Sequence, residues 1–248
     1  MKPANDFSTF SAREYLKDFY PSLNPENEFL LKFYHDFYSS IPRQKTLLEI
    51  GGGPTIFQLI SASRKVDEII FSEYAQSCRD EVTLFIQNEP SAWNWDDYIR
   101  FEIGLEKSGE SVDSMKELIR SKIKKVLPCD AFSVHPLAPE SDREYDVLTM
   151  GGVLECISNT EKEFLSACTN TFSLLKPSGY FVGFFAKNLT KWTHNGKVFE
   201  LFPINETYIE KLFPTLGLEI RTMTQSVPPD YHQEYEGIFA VSAIKKAK

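Results

Sequence analysis

The chain has 248 residues, enough for one large α/β domain or two small ones with a fully buried core. Its apolar content of 42% and charged content of 25% are ordinary for a globular protein. The formal net charge of −8 and the lack of a long basic run argue against a nucleic-acid-binding surface. The sequence has neither an apolar run long enough to span a membrane nor a signal-peptide pattern at its start, so we expect a soluble cytoplasmic protein with no membrane partner.

The cysteines and histidines predict neither a disulfide framework nor a metal site. The four cysteines form no CxxC pair, and in a reducing compartment they should be free thiols. The four histidines are scattered along the chain, so we expect surface or packing residues rather than metal ligands. The cysteines are Cys78, Cys129, Cys156 and Cys168, and the histidines are His35, His135, His194 and His232. The GxSxG, HExxH and GxxxxGK[ST] motifs are also absent, which excludes the hydrolase, metalloprotease and P-loop signatures.

Two amphipathic helices are predicted ahead of the first strand. Within residues 10–20, Tyr15 and Phe19 share one helical face, and residues 25–40 carry an apolar stripe of the same period. These helices are additions to a minimal α/β sheet, so we predict that residues 1–44 form a helical cap. The aromatic face of this cap either packs as ordinary core or forms a lid over a cofactor.

A glycine-rich turn follows the first predicted strand. Residues 47–50 form a buried apolar strand, and three glycines at residues 51–53 follow it directly. Glycine allows a positive φ and lets a ligand approach the backbone closely, and a helix predicted over residues 56–63 would present free N–H groups behind the loop. A dinucleotide fingerprint requires a third glycine where this chain has Ile56. The loop therefore suits a ligand with a ribose and no pyrophosphate, and an ordinary tight βα turn is the alternative.

An acidic residue follows the second predicted strand. Glu73 stands 22 positions after Gly51, close to the spacing of about 20 at which a carboxylate meets ribose hydroxyls. One carboxylate can accept hydrogen bonds from both hydroxyls of a ribose. Because an acid at a strand end can also be merely solvated, the ribose interpretation depends on the glycine loop beside it.

The remaining elements alternate between strands and helices and then end in a pair of strands. Residues 90–110 are predicted to be irregular, and the Asn-Gly dipeptide at residues 195–196 predicts a β-hairpin inserted near residues 188–202. Further helices are predicted over residues 75–89, 111–125, 161–175 and 205–212, and further strands over 126–132, 145–152, 180–185, 218–225 and 237–244. The pattern predicts an α/β fold with one doubly wound, mostly parallel seven-stranded sheet over residues 45–248.

In their order along the chain, these motifs resemble those of class I S-adenosylmethionine-dependent methyltransferases. The motifs are EIGGG at residues 49–53, Glu73 after the second strand, Asp130 after the third, DVL at residues 146–148 and LLKPSG at residues 174–179. Each motif alone is weak, but five in this order are specific. The resemblance implies a Rossmann-like fold and S-adenosyl-L-methionine as the cofactor.

A narrower resemblance is to the small-molecule amine N-methyltransferases that act on nicotinamide, phenylethanolamine and indolethylamine. It rests on GPTIFQLISA at residues 53–62, REYL at residues 13–16, VLPCD at residues 126–130 and EGIF at residues 236–239. It covers the chain from about Phe10 to Lys246. It implies methyl transfer to a small-molecule acceptor, with an amine nitrogen favoured.

The resemblance also implies a set of cofactor-binding residues. Tyr15 would cover the sulfonium and position it, although no residue is assigned a certain catalytic role. Phe57 stands where the family usually has a tyrosine, so one hydroxyl contact is missing, and Cys78 replaces a usually polar residue. The implied set is Tyr15, Tyr20, Gly51, Gly52, Gly53, Thr55, Phe57, Glu73, Tyr74, Cys78, Asp130, Ala131, Met150 and Gly151.

The acceptor site departs from that of the relatives at the end of the fifth strand. Members of the family that methylate nicotinamide carry an acidic residue there, which meets the substrate. In an ungapped comparison this chain has Phe185 at that position. The predicted acceptor residues are Phe185, Leu189, Trp192 and Leu201, which would make the pocket more apolar than a nicotinamide site. An acid could still come from Glu155, Glu200, Asp230 or Glu234. Ordinary hydrophobic packing of Phe185 and Trp192 is the alternative.

Three functions remain open at this stage. N-methylation is favoured, with O- or S-methylation of a small aromatic acceptor as a variant of the same chemistry. A cofactor-binding protein that has lost catalysis, acting as a sensor or partner subunit, is a second possibility, suggested by Phe185 and Cys78. A nicotinamide-dinucleotide oxidoreductase is disfavoured by Ile56. We expect a monomer.

Overall fold

The computed structural model describes residue 7 and residues 9–140, 143–226 and 236–247. Within these residues the central sheet has seven strands in the order β3-β2-β1-β4-β5-β9-β8. Strands β1 to β5 are mutually parallel, and β9 is antiparallel to both of its neighbours. This topology confirms the predicted doubly wound, mostly parallel seven-stranded sheet.

The strands lie close to the predicted positions. The strands are β1 (Gln44–Ile50), β2 (Val66–Glu73), β3 (Ile123–Pro128), β4 (Tyr145–Gly151), β5 (Leu175–Ala186), β6 (Lys191–His194), β7 (Lys197–Glu200), β8 (Leu218–Gln225) and β9 (Ile238–Lys245). Strands β6 and β7 form a separate hairpin whose loop residues, Asn195 and Gly196, both have positive φ, of 50° and 72°. Two such residues in a two-residue loop are the requirement of a type I′ turn, so the hairpin prediction is confirmed.

The described helices cover both faces of the sheet, and none of them has the length and apolar character needed to cross a bilayer. The helices are α1 (Ala12–Phe19), α2 (Pro25–Ser40), α3 (Ala62–Lys65), α4 (Gln76–Ile86), α5 (Asp96–Glu106), α6 (Val112–Lys122), α7 (Leu154–Ile157), α8 (Glu161–Ser173) and α9 (Glu206–Thr215). A single 3-10 turn, Phe57–Leu59, lies between the glycine loop and α3.

Alternation of side chains along each strand divides the core in two. Leu47 packs with residues of α2 to α6 on one face, whereas its neighbour Leu48 packs with residues of α8 and α9 on the other. Both leucines are fully buried. Parallel strands covered on both faces are expected to be largely apolar. The buried stretches at residues 47–50 of β1 and 147–150 of β4 follow that rule except at Glu49 and Thr149.

The sequence prediction was wrong in three places. Residues 90–110 contain helix α5, whose buried face includes Ile99 and Trp95 at its start. The predicted helix over residues 56–63 is instead the 3-10 turn followed by the single turn of α3. The fifth strand, predicted over residues 180–185, begins earlier, at Leu175, so that it includes residues 176–179.

Helix α5 makes the first testable prediction. Trp95 is 1% exposed and packs against Tyr20 and Tyr98, with ring centroids 5.8 and 5.1 Å away. We expect Trp95→Ala to lower the free energy of unfolding by about 3–5 kcal/mol, because the indole leaves a cavity in the core. The half-buried Trp93 serves as the control, and Trp93→Ala should cost clearly less in urea unfolding. Equal losses for the two variants would contradict the packing described.

Candidate functional site

A cavity of about 580 Å³ opens where the parallel strands end. The segments that follow the carboxyl ends of β1, β2, β3 and β4 all contribute to its walls. In a doubly wound sheet this edge is the usual ligand-binding crevice. Helix α1, the start of α2 and the β6–β7 hairpin form the other side of the cavity.

The glycine loop, residues 51–53, forms the floor of this cavity. Gly51 and Gly52 both donate backbone hydrogen bonds to the carbonyl of Ser72, at 2.9 and 3.3 Å, which fastens the loop to the end of β2. Gly51 has a φ of +63°, and an added Cβ would collide with Val153. An added Cβ at Gly52 would collide with Phe71, whereas at Gly53 it would meet open space. The loop therefore requires glycine at its first two positions and leaves its backbone accessible to a ligand.

Glu73 ties β2 to the glycine loop. Its Oε2 accepts a hydrogen bond from the backbone N–H of Gly53 at 3.0 Å, and its Oε1 accepts from Ala75 at 2.7 Å. The side chain is 8% exposed and lines the cavity. Burial raises the pKa of this carboxyl, while the two backbone donors act in the opposite direction. Each carboxylate oxygen can accept further hydrogen bonds, so Glu73 can still bind hydroxyl groups of a ligand.

A second acidic loop borders the same cavity after β3. The Oδ1 of Asp130 accepts from the backbone N–H of Phe132 at 2.9 Å, and the Asp130 N–H donates to Pro136 at 2.9 Å. These bonds fix the loop in place. Ala131 and Cys78 also line this part of the cavity, and burial raises the pKa of the Cys78 thiol. A neutral, unreactive thiol is consistent with a packing or contact role for Cys78.

Aromatic rings of α1 and the hairpin line the opposite wall. Tyr15 lies 5.7 Å from Tyr20 and 6.0 Å from Trp192 between ring centroids, and it meets Trp192 edge to face. Phe19 and Phe10 extend the same wall, at 5.0 and 5.4 Å from Tyr15. Burial raises the pKa of the Tyr15 phenol, so the hydroxyl stays protonated and can donate a hydrogen bond.

Fifteen of the eighteen residues implied by the sequence lie in the cavity wall. They are Tyr15, Tyr20, Gly51, Gly52, Gly53, Thr55, Phe57, Glu73, Tyr74, Cys78, Asp130, Ala131, Gly151, Leu189 and Trp192. The other three, Met150, Phe185 and Leu201, are not part of it. Those three are all buried elsewhere.

Phe185 lies in the core rather than in the acceptor site. Its ring packs against Phe239 and Phe213, with centroids 5.5 and 6.4 Å away, and it is 1% exposed. Its strand neighbours Phe184 and Ala186 line the cavity instead, because successive side chains of a strand point to opposite faces. The packing alternative therefore holds for Phe185, and the expectation that it forms an apolar wall of the pocket is corrected.

Met150 and Leu201 were also expected in the cavity wall, and both lie outside it. Met150 faces the core shared with α8 and α9, and the residue after it, Gly151, lines the cavity. Leu201 packs with Leu189 and Phe199 in a small cluster at the base of the hairpin. Of the two leucines, Leu189 lines the cavity and Leu201 does not.

Neither Glu155 nor Glu200, two of the four acids suggested for the acceptor site, lines the cavity. Glu155 is fully buried, and its Oε1 accepts from the backbone N–H of Ala186 at 2.9 Å. Glu200 is exposed on β7. Asp230 and Glu234, like His232, lie outside the described residues.

Sequence reasoning missed several residues of the cavity wall. Phe10 and Phe19 could have been found, since they flank Tyr15 on a face already identified as aromatic. Tyr34 belongs to the apolar stripe predicted over residues 25–40, and nothing in that pattern marks it as a cavity residue. The main additional lining residues are Phe10, Asp18, Phe19, Asn27, Tyr34, Glu49, Gln58, Cys156 and Phe184.

Away from the cavity, one histidine has acidic neighbours. His35 Nδ1 lies 3.0 Å from Glu102 and 3.6 Å from Glu106. One nitrogen of His35 and one carboxylate oxygen from each of Glu102 and Glu106 lie within 4.8 Å of one another, close enough to hold a metal ion. Arg64 also pairs with Glu106, at 4.0 Å, so the group forms an ion-pair network between α2, α3 and α5. The four cysteines are free, as expected.

Comparison with known proteins gives a consistent result at family level. The model of the NNMT/PNMT/TEMT family matches residues 1–246. Phenylethanolamine N-methyltransferase of Macaca mulatta is 28% identical over 207 residues, 81% of this chain and 73% of that protein. Indolethylamine N-methyltransferase of Oryctolagus cuniculus is 28% identical over 90% of this chain and 87% of that protein. Nicotinamide N-methyltransferase of Homo sapiens is 26% identical over 97% of this chain and 95% of that protein.

Solved structures support the fold. The CcbJ methyltransferase from Streptomyces caelestis has a TM-score of 0.61 at 12% identity and covers 98% of this chain and 100% of its own. Magnesium protoporphyrin IX methyltransferase from Synechocystis PCC 6803, with bound SAM, has a TM-score of 0.61 at 11% identity over 97% of this chain and 93% of its own. At these identities the likeness concerns the fold alone.

Glu73 provides a test of the nucleoside end of the cavity. We expect Glu73→Ala to weaken binding of S-adenosylhomocysteine by about 1–3 kcal/mol in calorimetry, because acceptors for the ribose hydroxyls are lost. Glu68, on the same strand but paired with Arg143 at the surface, provides the control Glu68→Ala. If Glu73→Ala binds as tightly as the control, the ribose assignment is wrong.

Glu155 predicts a pH dependence of stability. Burial raises its pKa from 4.5 to about 7, so the folded state holds a proton that the unfolded state releases near 4.5. The favourable contribution of the protonated Glu155 carboxyl to the free energy of unfolding is fully present below pH 4.5, and it is lost as the pH rises towards 7. We expect the free energy of unfolding of Glu155→Gln, relative to that of the wild type, to rise by up to about 3 kcal/mol between pH 4.5 and pH 8. Urea unfolding of both proteins over this range measures the difference. A constant difference between the two proteins over that range would contradict the shift.

Proposed function

The chain belongs to the NNMT/PNMT/TEMT family of S-adenosylmethionine-dependent methyltransferases, and we propose that its methyl acceptor is a small, largely apolar amine. The proposal draws on two sources. The relatives are named as N-methyltransferases of phenylethanolamine, indolethylamine and nicotinamide. The second source is the cavity wall of this chain.

The aromatic wall beside the glycine loop carries the proposal. Trp192 lies 6.0 Å from Tyr15, 6.1 Å from Phe19 and 6.2 Å from Phe10, between ring centroids. All four rings line the cavity that also contains Glu73 and Asp130. Aromatic walls of this kind suit a flat apolar molecule, which gains both burial and ring contacts. In this proposal the apolar surface of the acceptor pocket, which the sequence analysis expected from Phe185, is supplied by Phe10, by α1 and by the hairpin.

The chemistry requires positioning more than side-chain reactivity. S-adenosylmethionine supplies an electrophilic methyl group on a sulfonium. Tyr15 and Trp192 exclude water from the acceptor and hold its ring, which restricts the nucleophile to an in-line approach. The aromatic faces also favour a cation near them, so the wall tolerates the charged product amine.

Asp18 is a carboxylate that lines the cavity beside the aromatic wall. It lies on α1 next to Phe19, is half exposed, and has Oδ2 3.5 Å from Nδ1 of His194. The His194 Nε2 lies 3.3 Å from the carbonyl of Ser11, so that nitrogen donates and Nδ1 is left to face Asp18. In this proposal the Asp18 carboxylate orients the amine by accepting a hydrogen bond from its N–H group, and the methylated product leaves as the cation.

We also propose a cytoplasmic monomer. Four free cysteines suit a reducing compartment. The exposed large apolar side chains of the described surface are Tyr74, Val134 and Val198, which are too few for an extensive obligate interface. Size-exclusion chromatography with light scattering should give a mass near 28.5 kDa, and a dimer mass would contradict the proposal.

Trp192 provides the test of the acceptor site. Over a panel of aromatic amines, phenols and thiols, we expect turnover with amines. Trp192→Ala should raise the KM of the best amine about 3- to 10-fold, through loss of about 0.5–1.5 kcal/mol of ring contact, with the KM of S-adenosylmethionine little changed. Val198, exposed on the same hairpin, provides the control Val198→Ala. Cofactor binding without turnover on any acceptor would instead favour a sensor or partner subunit.

A further inference from the structure

A histidine and two glutamates converge where α2 packs against α5. His35 Nδ1 lies 3.0 Å from Glu102 Oε1 and 3.6 Å from Glu106 Oε1. The two glutamates stand one helical turn apart on α5, so their side chains share a face of that helix. The sequence pattern did not indicate this cluster, because residues 90–110 were predicted to be irregular. None of the three residues lines the large cavity, so methyl transfer does not explain why they lie together.

The donor atoms have the spacing that a tetrahedral metal ion requires. Zn²⁺ binds imidazole nitrogen and carboxylate oxygen at about 2.0–2.2 Å, so neighbouring ligand atoms of a tetrahedron lie about 3.3–3.6 Å apart. The two distances from His35, 3.0 and 3.6 Å, are close to that range. A small shift of these side chains would form three of the four metal bonds, and water would supply the fourth.

The buried carboxyl of Glu102 is incompletely satisfied by the side chains around it. Glu102 is 0% exposed, and its Oε2 has no hydrogen-bond partner of ordinary geometry. The Ser61 hydroxyl beside it is 3% exposed and makes no hydrogen bond of ordinary geometry either. Buried polar atoms are nearly always hydrogen-bonded, and buried charges are paired or coordinate a metal. These two atoms therefore point, independently of the spacing, to a ligand at this place.

The positive charges beside the cluster do not balance its acids. A ring nitrogen carries at most one proton, so His35 Nδ1 can donate to Glu102 or to Glu106 but cannot fully satisfy both. Arg64 lies 4.0 Å from Glu106 and is shared with Glu110. Three carboxylates thus face one guanidinium, and a divalent cation bound to a neutral imidazole would offset the excess negative charge.

We propose that His35, Glu102 and Glu106 bind a divalent transition-metal ion of the zinc type, which ties α2 to α5. An imidazole nitrogen with two carboxylate oxygens suits Zn²⁺ better than Mg²⁺ or Ca²⁺, which prefer oxygen ligands alone. The half-buried His35 and Glu106 leave a path for the ion from solvent, and the buried Glu102 anchors it. The site goes beyond methyl transfer and does not depend on the acceptor or on the cofactor.

The ion would restrain a helix that forms part of the cavity wall. Asn27 and Tyr34 of α2 line the cavity, and His35 follows Tyr34 directly. Near the start of both helices, the Tyr98 hydroxyl of α5 already donates to Asn27 Oδ1 at 2.7 Å. Metal bonds further along the same two helices would give this contact a second anchor, which is a structural role rather than a catalytic one.

The experiment titrates Zn²⁺ into the full-length, untagged protein by calorimetry, after treatment with a chelator. We expect one ion per chain, bound with a micromolar or lower Kd. His35→Asn should weaken the affinity by at least about 10-fold, because a ligand is lost. At a free Zn²⁺ concentration of about 100 times Kd, the Tm of the wild type should rise by about 5–10 °C, while that of His35→Asn should change little.

Two controls separate this site from other metal-binding groups. His135→Asn removes an exposed histidine elsewhere and should bind Zn²⁺ as the wild type does. Co²⁺ in place of Zn²⁺ tests whether any of the four free cysteines is a ligand, because thiolate ligands add an intense near-ultraviolet absorption band. We expect visible Co²⁺ absorption without that band.

Three results would overturn the inference. They are no Zn²⁺ binding at micromolar concentrations, equal affinities of the wild type and His35→Asn, and a thiolate band with Co²⁺. Zn²⁺ binding that leaves the Tm of the wild type unchanged would contradict the link between α2 and α5. If His35→Asn does not fold, Glu106→Gln, at a half-buried position, decides by the same comparison.

Discussion

The hydrogen bond from the Gly53 backbone to the Glu73 carboxylate connects the two parts of the molecule on which the site depends. It joins the end of β2 to the glycine loop after β1, while the backbone of Ser72 accepts from Gly51 and Gly52. These hydrogen bonds fasten the glycine loop to the carboxyl end of β2, and the four cysteines are free thiols that form no cross-link there. An acid that holds the loop can still offer lone pairs to a ribose, so the fold and the binding site share one residue.

Buried carboxyl groups set the electrostatic character of the protein. Burial raises the pKa of Glu49, Glu73, Glu102 and Glu155. Glu73 and Glu49 line the cavity, whereas Glu102 and Glu155 lie outside it, where Glu102 hydrogen-bonds to His35 and Glu155 accepts from the backbone N–H of Ala186. A cationic cofactor is well matched to a cavity with acids along its floor, since a sulfonium and an ammonium group both reduce the cost of burying those charges.

The sequence allowed the sheet and the cofactor edge of the cavity to be predicted because both depend on local patterns. Glycine spacing and the Asn195-Gly196 turn determine backbone conformation directly. Glu73 is the last residue of β2 and Asp130 follows the end of β3, so the strand positions locate both acids. The acceptor side depends on which face of a strand a residue occupies. Phe185 was assigned to the pocket by its position in the sequence, whereas alternation along β5 gives that place to Phe184 and Ala186. Helix α5 was missed because its first turn, at Trp95 and Asp96, has the polar and aromatic composition of a loop.

A crystal structure with bound S-adenosylhomocysteine is the most direct test of the central claim, that a nucleoside lies across the carboxyl edge of the sheet. We expect both ribose hydroxyls within about 2.6–3.2 Å of the Glu73 carboxylate, with the adenine beside Asp130 and Ala131. A structure in which the ligand binds elsewhere, or in which the Glu73 carboxylate faces solvent while the nucleoside contacts other residues, would contradict it.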